Sequence, residues 1–329
     1  MKLEVIEKYP LEGVGKWMKQ AAFTANGWAA FIFTKKYPCE SLIFIREGKV
    51  TYREIEMEKK GGLYGNEIVL FACQDKICIL KNIHELEVIT DPEQPAAIIP
   101  VTNGNFFKKV IPESDPFAPA ELRGLHTVST GAVFPIGFEY SYYQGEIRNI
   151  GYLELDLAKG AARWVAFMGI PEKDLFPGRS DDSRENNLIK FDSALMKEDE
   201  VYFFCPGAKM GSVNKWGMDW YALWKTNRRG KIKDILFDSG PLEWIDQKKR
   251  GVHGVFSYSG RYAILTPHFH SDEWKGKQKL FDLSTRDWID VQMPRGLTKG
   301  LILQHTGTRF WVSSHTDENL YLAVCEEVR

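Results

Sequence analysis

The chain has 329 residues, with 43 Lys or Arg against 44 Asp or Glu, 44% hydrophobic and 26% charged residues. That length buries a sizeable core without disulfides or metals, and that composition excludes intrinsic disorder. The near-zero net charge gives no whole-protein electrostatic pull toward nucleic acid or an anionic membrane, so neither is expected as a partner. The first residues, MKLEVIEKYPLEG, carry charges throughout and lack the apolar stretch of a secretory signal. Residues 2–9, KLEVIEKY, read as a strand with no partner before the first longer unit. No apolar run anywhere approaches the roughly 18 residues of a spanning helix.

Groups of short strands joined by polar turns then follow one another, rich in β-branched and aromatic residues. Units are expected at 21–55, 61–89, 125–167, 189–237, 252–291 and 299–327. The third and fourth carry lengthened middle hairpins. The stretches 91–121 and 169–187 lie outside the pattern as long loops between units, a position where compact domains place functional segments. The last unit stops after three strands, and residues 2–9 are expected to supply its fourth, which closes an otherwise open edge. The expected fold is therefore all-β: a single domain over 1–329, a six-bladed β-propeller closed by its N-terminal strand. Seven blades result if 96–110 hides a degenerate one. A β-sandwich or two all-β domains is the alternative that strand spacing alone allows.

The unit at 252–291 carries a resemblance. Ser257, Gly260, Arg261, the apolar run 262–265 and the pair Asp282-Leu283 resemble propeller repeats of the TolB and WD40-like type. That resemblance implies a repeat architecture and no particular activity.

Histidine and carboxylate residues recur in the loops. His268, His270 and Asp272 follow the second strand of the fifth unit, His315 and Asp317 follow that of the sixth, and His253 opens the fifth. By topology all belong to one loop-bearing face. Histidines and carboxylates are ligands for zinc, manganese or iron, and His268, His270 and His315 are the candidates; His126 and His305 would widen the set. Asp after a hydroxyl residue is also ordinary turn chemistry, and that reading is favoured, so no metal or other cofactor is expected. Arg179, Asp181, Asp182 and Arg184 in the loop 169–187, and Trp216 in the long hairpin of the fourth unit, complete the candidate binding face. The basic stretch TNRRGKIK at 226–233 reads as a hairpin turn. The five cysteines, Cys39, Cys73, Cys78, Cys205 and Cys325, lack regular spacing and suggest reduced thiols in a cytoplasmic protein. Cys73 and Cys78 are placed to face each other across a hairpin, with His84 the one further metal ligand close in sequence.

The chain has no nucleophile elbow, Walker-type loop or dinucleotide fingerprint. The expected function is an interaction or ligand-binding propeller rather than an enzyme, one form being a cytoplasmic immunity or regulatory protein that caps another protein. The alternative is a metal-dependent, lactonase-like hydrolase or lyase, with Asn105, Glu121, Asp181 and Asn187 in suitable loops. The expected partner is another protein or a small ligand on the loop-rich face.

Overall fold

A computed structural model describes residues 1–14, 18–24, 26–34, 39–56, 68–73, 75–81, 85–101, 133–136, 151–157, 159–166, 168, 187–189, 193–197, 199–209, 220–238, 255–266, 278–298, 300–314 and 321–328. All regular structure among them is β. By contact the chain divides into two compact units, one of Met1–Pro100, Arg123–Gly131 and Gly254–Arg329, the other of Val101–Leu122 and Ala132–His253. No helix among the described residues is long and apolar enough to cross a membrane.

In the first unit, β1 (Leu3–Pro10) is followed by the meander β2 (Met18–Phe23), β3 (Ala29–Thr34), β4 (Cys39–Arg46) and β5 (Lys49–Glu56). The next meander is β6 (Ile68–Cys73), β7 (Lys76–Lys81), β8 (Glu85–Ile89) and β9 (Ala97–Pro100). The second unit holds β10 (Val133–Ile136), β11 (Gly151–Asp156) and β12 (Ala161–Ala166), then β13 (Asn187–Ile189), β14 (Ser193–Lys197), β15 (Glu200–Lys209), β16 (Trp220–Asn227) and β17 (Ile232–Asp238). The first unit resumes with β18 (Val255–Tyr258), β19 (Tyr262–Thr266), β20 (Gln278–Asp282) and β21 (Asp287–Val291). It ends with β22 (Leu301–Thr306), β23 (Arg309–Ser313) and β24 (Tyr321–Glu327).

The chain is an all-β protein of β-propeller type, and its blade count corrects the sequence expectation. Among the described residues five sheets hold four or more strands, whereas β10-β11-β12 holds three. The blades therefore number five, not six or seven. Turn spacing counts strand-like runs, whereas a blade is defined by backbone pairing, which spacing does not specify. The seventh-blade candidate dissolves for the same reason: Ala97–Pro100 is β9, paired antiparallel to β8, and the second meander runs from 68 to 100 rather than 61 to 89.

The N-terminal strand does what its isolation implied. It pairs antiparallel with β24, from Leu3 opposite Glu327 to Pro10 opposite Tyr321, and completes the order β1-β24-β23-β22. Its Leu3 and Tyr9 are buried and the residues between are largely exposed, as suits an outer strand with one covered face. Strands deeper in the stack read differently. Ile77 to Leu80 in β7 are all buried, because both faces of that sheet are covered and alternation disappears.

Three apolar clusters join successive sheets of the first unit. Tyr262, Ile264, Leu280 and Val291 pack with Ile302, Phe310 and Val312. Leu303, Trp311 and Val324 pack with Tyr9, Phe23, Phe31 and Ile43. Ala30, Leu42 and Phe44 pack with Leu70, Ile77 and Ile79. Polar stitches supplement the apolar contact. Gln20 in β2 donates from Nε2 to the Ile68 carbonyl at 2.6 Å and accepts from the Leu70 amide at 2.6 Å, clamping the outer backbone edge of β6. Trp28 donates from Nε1 to the Asp75 carbonyl at 2.9 Å. Gly300 follows from close approach: a Cβ there would lie 2.9 Å from both the Leu297 and Ser313 carbonyl oxygens.

Candidate functional site: a cleft between two sheets

The turn joining β4 to β5 is Arg46-Glu47-Gly48-Lys49, with φ of 51° at Glu47 and 80° at Gly48. Two consecutive left-handed residues make the tight hairpin that matches strand twist, and Gly48 occupies its second position without a Cβ penalty. This turn and Gly27, in the turn joining β2 to β3, form one side of a cleft of about 340 Å³. The other side is Glu7 and Tyr9 of β1 with Arg309 and Trp311 of β23, and Ile45 completes the lining. All belong to the first unit.

The aromatic floor is rigid. Tyr9 and Trp311 stack with centroids 6.5 Å apart and planes 18° from parallel, and Phe23 and Phe31 back Trp311 at 5.6 and 6.0 Å. The charged wall is connected. Tyr9 donates its hydroxyl to Glu7 Oε2, and Arg309 Nη1 donates to Glu7 Oε1 at 3.3 Å. Arg309 Nε also lies 3.7 Å from Glu326, which accepts from the Thr308 hydroxyl at 3.2 Å. Burial, and then its bond to the Glu7 carboxylate, push the Tyr9 phenol above its ordinary range, so it stays protonated. Glu47 projects into solvent with its side chain 86% exposed and only a loose 3.8 Å approach to Arg46.

The turns at this rim are first-to-second and third-to-fourth strand turns. They lie at the opposite end of the sheets from the second-to-third loops that the sequence favoured. His253, His268, His270, Asp272, His315, Asp317, Trp216, Arg179, Asp181, Asp182 and Arg184 all lie outside the described residues, as do His84, His126, Asn105 and Glu121. Asn187 falls in β13. Among the described residues no group of three His, Cys, Asp or Glu is placed to hold a metal. Cys73 and Cys78 are free thiols in offset register, Cys73 opposite Lys76 and Cys78 opposite Phe71.

His305 is described and belongs to packing. Its ring sits edge-on to Tyr262 at 4.9 Å and against Phe310 at 4.6 Å. Burial, reinforced by the Arg261 charge, pushes its pKa down to about 4 and keeps it neutral. The repeat-type residues of the fifth sequence unit also resolve into structure. Arg261 donates through Nε and Nη2 to Asp282 Oδ2 at 3.1 and 2.9 Å, while Ser284 caps Oδ1 through its amide at 2.8 Å. Burial works to raise the Asp282 pKa, but the Ser284 and Arg261 bonds outweigh it and hold the carboxyl below its usual value. In the second unit the basic stretch 226–233 forms the β16–β17 turn, and its Arg228 pairs with the buried Glu154, which Arg163 also binds.

Sequence reasoning missed the cleft because one of its walls is assembled from opposite ends of the chain, Glu7 and Tyr9 with Arg309 and Trp311. Tyr9 and Trp311 each read as ordinary strand aromatics. The one available signal was the closure by residues 2–9, which brings β1 against β24 and so near β23.

No family model matches the chain, and no curated protein is similar to it in sequence. Similar solved structures include YCF48 bound to D1 peptide, at 10% identity and TM-score 0.40, covering 99% of this chain and 97% of that one. The Cps50 (Swd1) β-propeller domain from Myceliophteria thermophila matches at 5% identity and TM-score 0.41, covering 99% and 100%. A triple arginine-to-alanine mutant of AofleA from Arthrobotrys oligospora matches at 11% identity and TM-score 0.49, covering 99% and 87%. The class, β-propeller of repeat type, rests on this chain's own succession of antiparallel meanders, and no specific family is assigned.

Proposed function

We propose that this chain is a non-catalytic binding propeller that holds a protein partner, with the Tyr9–Trp311 cleft as part of its contact surface. The observation that supports this reading best is the commitment of Glu7, Tyr9 and Arg309 in the cleft to one another. Tyr9 and Arg309 both bind Glu7, Arg309 also approaches Glu326, and the Tyr9 proton is held more tightly than in a free phenol. Groups locked in this way serve as fixed charge and shape. Acid–base catalysis instead uses a group whose pKa lies near the working pH. The rim consists of hairpin turns, which a partner can reach without disturbing the sheets behind them. A finer reading is a cytoplasmic protein, which the irregularly spaced cysteines support, of an immunity or regulatory kind that caps its partner.

The test is reconstitution. The partner that co-purifies with the native protein is identified, produced alone, and titrated calorimetrically against the propeller. Reversing one rim charge, Glu47→Arg, is expected to weaken binding about tenfold with no change in melting temperature. Saturable turnover of an ester, lactone or uronate by the purified protein would overturn the reading.

A further inference from the structure

Resting on that binding reading, we propose that the cleft receives one cationic side chain, arginine or lysine, projecting from the partner protein. Three independent features of the site point the same way. The first is charge: Glu7 and Glu47 line the cleft against the single guanidinium of Arg309, a formal balance of minus one. Including the adjacent Glu326 and Arg46 leaves that balance unchanged, at three carboxylates against two guanidiniums. The two carboxylates differ in availability. Glu7 is engaged by Arg309 and Tyr9, whereas Glu47 is solvent-exposed and turned only loosely toward Arg46.

The second feature is the floor. Tyr9 and Trp311 are electron-rich rings stacked against one another in the floor. Aromatic faces attract guanidinium and ammonium groups, and the attraction grows where water is excluded. This protein already uses that contact nearby: the Arg46 guanidinium lies 5.7 Å from the Trp28 ring centroid, at the same end of the sheets.

The third feature is size and access. A volume of about 340 Å³ is at the small end for ligand sites, enough for one side chain and too little for a folded element. Gly27 and Gly48 stand at the mouth, and a Cβ added to either meets nothing within 4 Å. The entrance is therefore open where a side chain would pass.

The probe is the peptide acetyl-Gly-Arg-Gly-amide, titrated into the full-length protein and followed by amide and indole chemical shifts. The control is the same peptide with citrulline, which keeps the shape and removes the charge. The arginine peptide is expected to bind in the millimolar range, about five- to tenfold tighter than the citrulline peptide, and to weaken as salt rises. Shifts should centre on Glu7, Gly48 and the Trp311 indole. Glu47→Gln, at an exposed position that leaves the fold intact, should weaken the arginine peptide about threefold and leave the citrulline peptide unchanged. Equal binding of the two peptides, or shifts that avoid the cleft, would overturn the proposal. Failure of the peptide while the intact partner still responds to Glu47→Arg would remove the cation assignment and leave the binding reading standing. A partner indifferent to every rim substitution would remove the binding reading itself.

Discussion

Replacing Gln20 by leucine should separate two sheets that the apolar core alone holds less firmly. Gln20 is only 7% exposed, and its amide meets the outward edge of β6 at both ends, Ile68 O and Leu70 N at 2.6 Å each. Among the described residues that edge has no strand beyond it, because β6 is terminal in the order β6-β7-β8-β9. Leucine preserves most of the volume but leaves one buried carbonyl and one buried amide without partners. Each stranded group costs about 1–3 kcal/mol, so a loss of about 3 kcal/mol is expected after partial relaxation. The assay is urea unfolding followed by tryptophan fluorescence and far-ultraviolet circular dichroism, together with hydrogen exchange at the Leu70 amide. Exchange there should accelerate by about two orders of magnitude, while amides of β23 are little changed. A Gln20→Leu protein within about 0.5 kcal/mol of the parent, with Leu70 still protected, would refute the stitch.

Two further outcomes follow from the same structure. His305 has a folded pKa near 4 against an ordinary 6.5, so the unfolded chain takes up its proton first and the associated stability, full above about pH 6.5, is lost as pH falls toward 4. Between pH 7 and pH 5 this amounts to about 1 kcal/mol once solvent screening of the partly exposed ring is allowed for, and a His305→Gln protein should show a correspondingly flatter pH dependence in urea melts; parallel curves would refute it. Deleting residues 1–10 removes the partner of β24 and uncovers Leu322 and Val324 of an inter-sheet core. Insoluble or partly unfolded protein is expected, and a soluble variant with native circular dichroism would show that β1 is dispensable.

Much of the fold was legible one strand at a time. The fifth sequence unit, 252–291, contains β18 to β21 in order, because Ser-Gly and Asp-Leu-Ser turn residues bracket short apolar runs. The repeat-type residues Arg261 and Asp282 were visible as a pattern, and the structure shows their work: an ion pair between a buried carboxylate and a largely exposed guanidinium that pins one hairpin of that sheet. The three-strand ending and the unpaired N-terminal strand were also legible together, since a strand that leaves an edge open implies a partner elsewhere.

Sheet membership was not legible. Whether 96–110 forms a new blade or finishes an old one depends on which backbone groups pair, and β9 pairs with β8. The cleft was not legible either. Glu7 and Arg309 are 302 positions apart, and nothing in either local pattern marks them as partners. Period-two alternation determines which side chains leave a strand on a given face, and so the sequence by itself determined the strands, their turns and the fate of its first ten residues. Which face meets which neighbouring sheet is decided by packing between sheets, where contacts depend on distance in space and not along the chain. Only the tertiary structure could therefore set Tyr9 on Trp311, close Glu7 onto Arg309, and leave Glu47 exposed at the mouth.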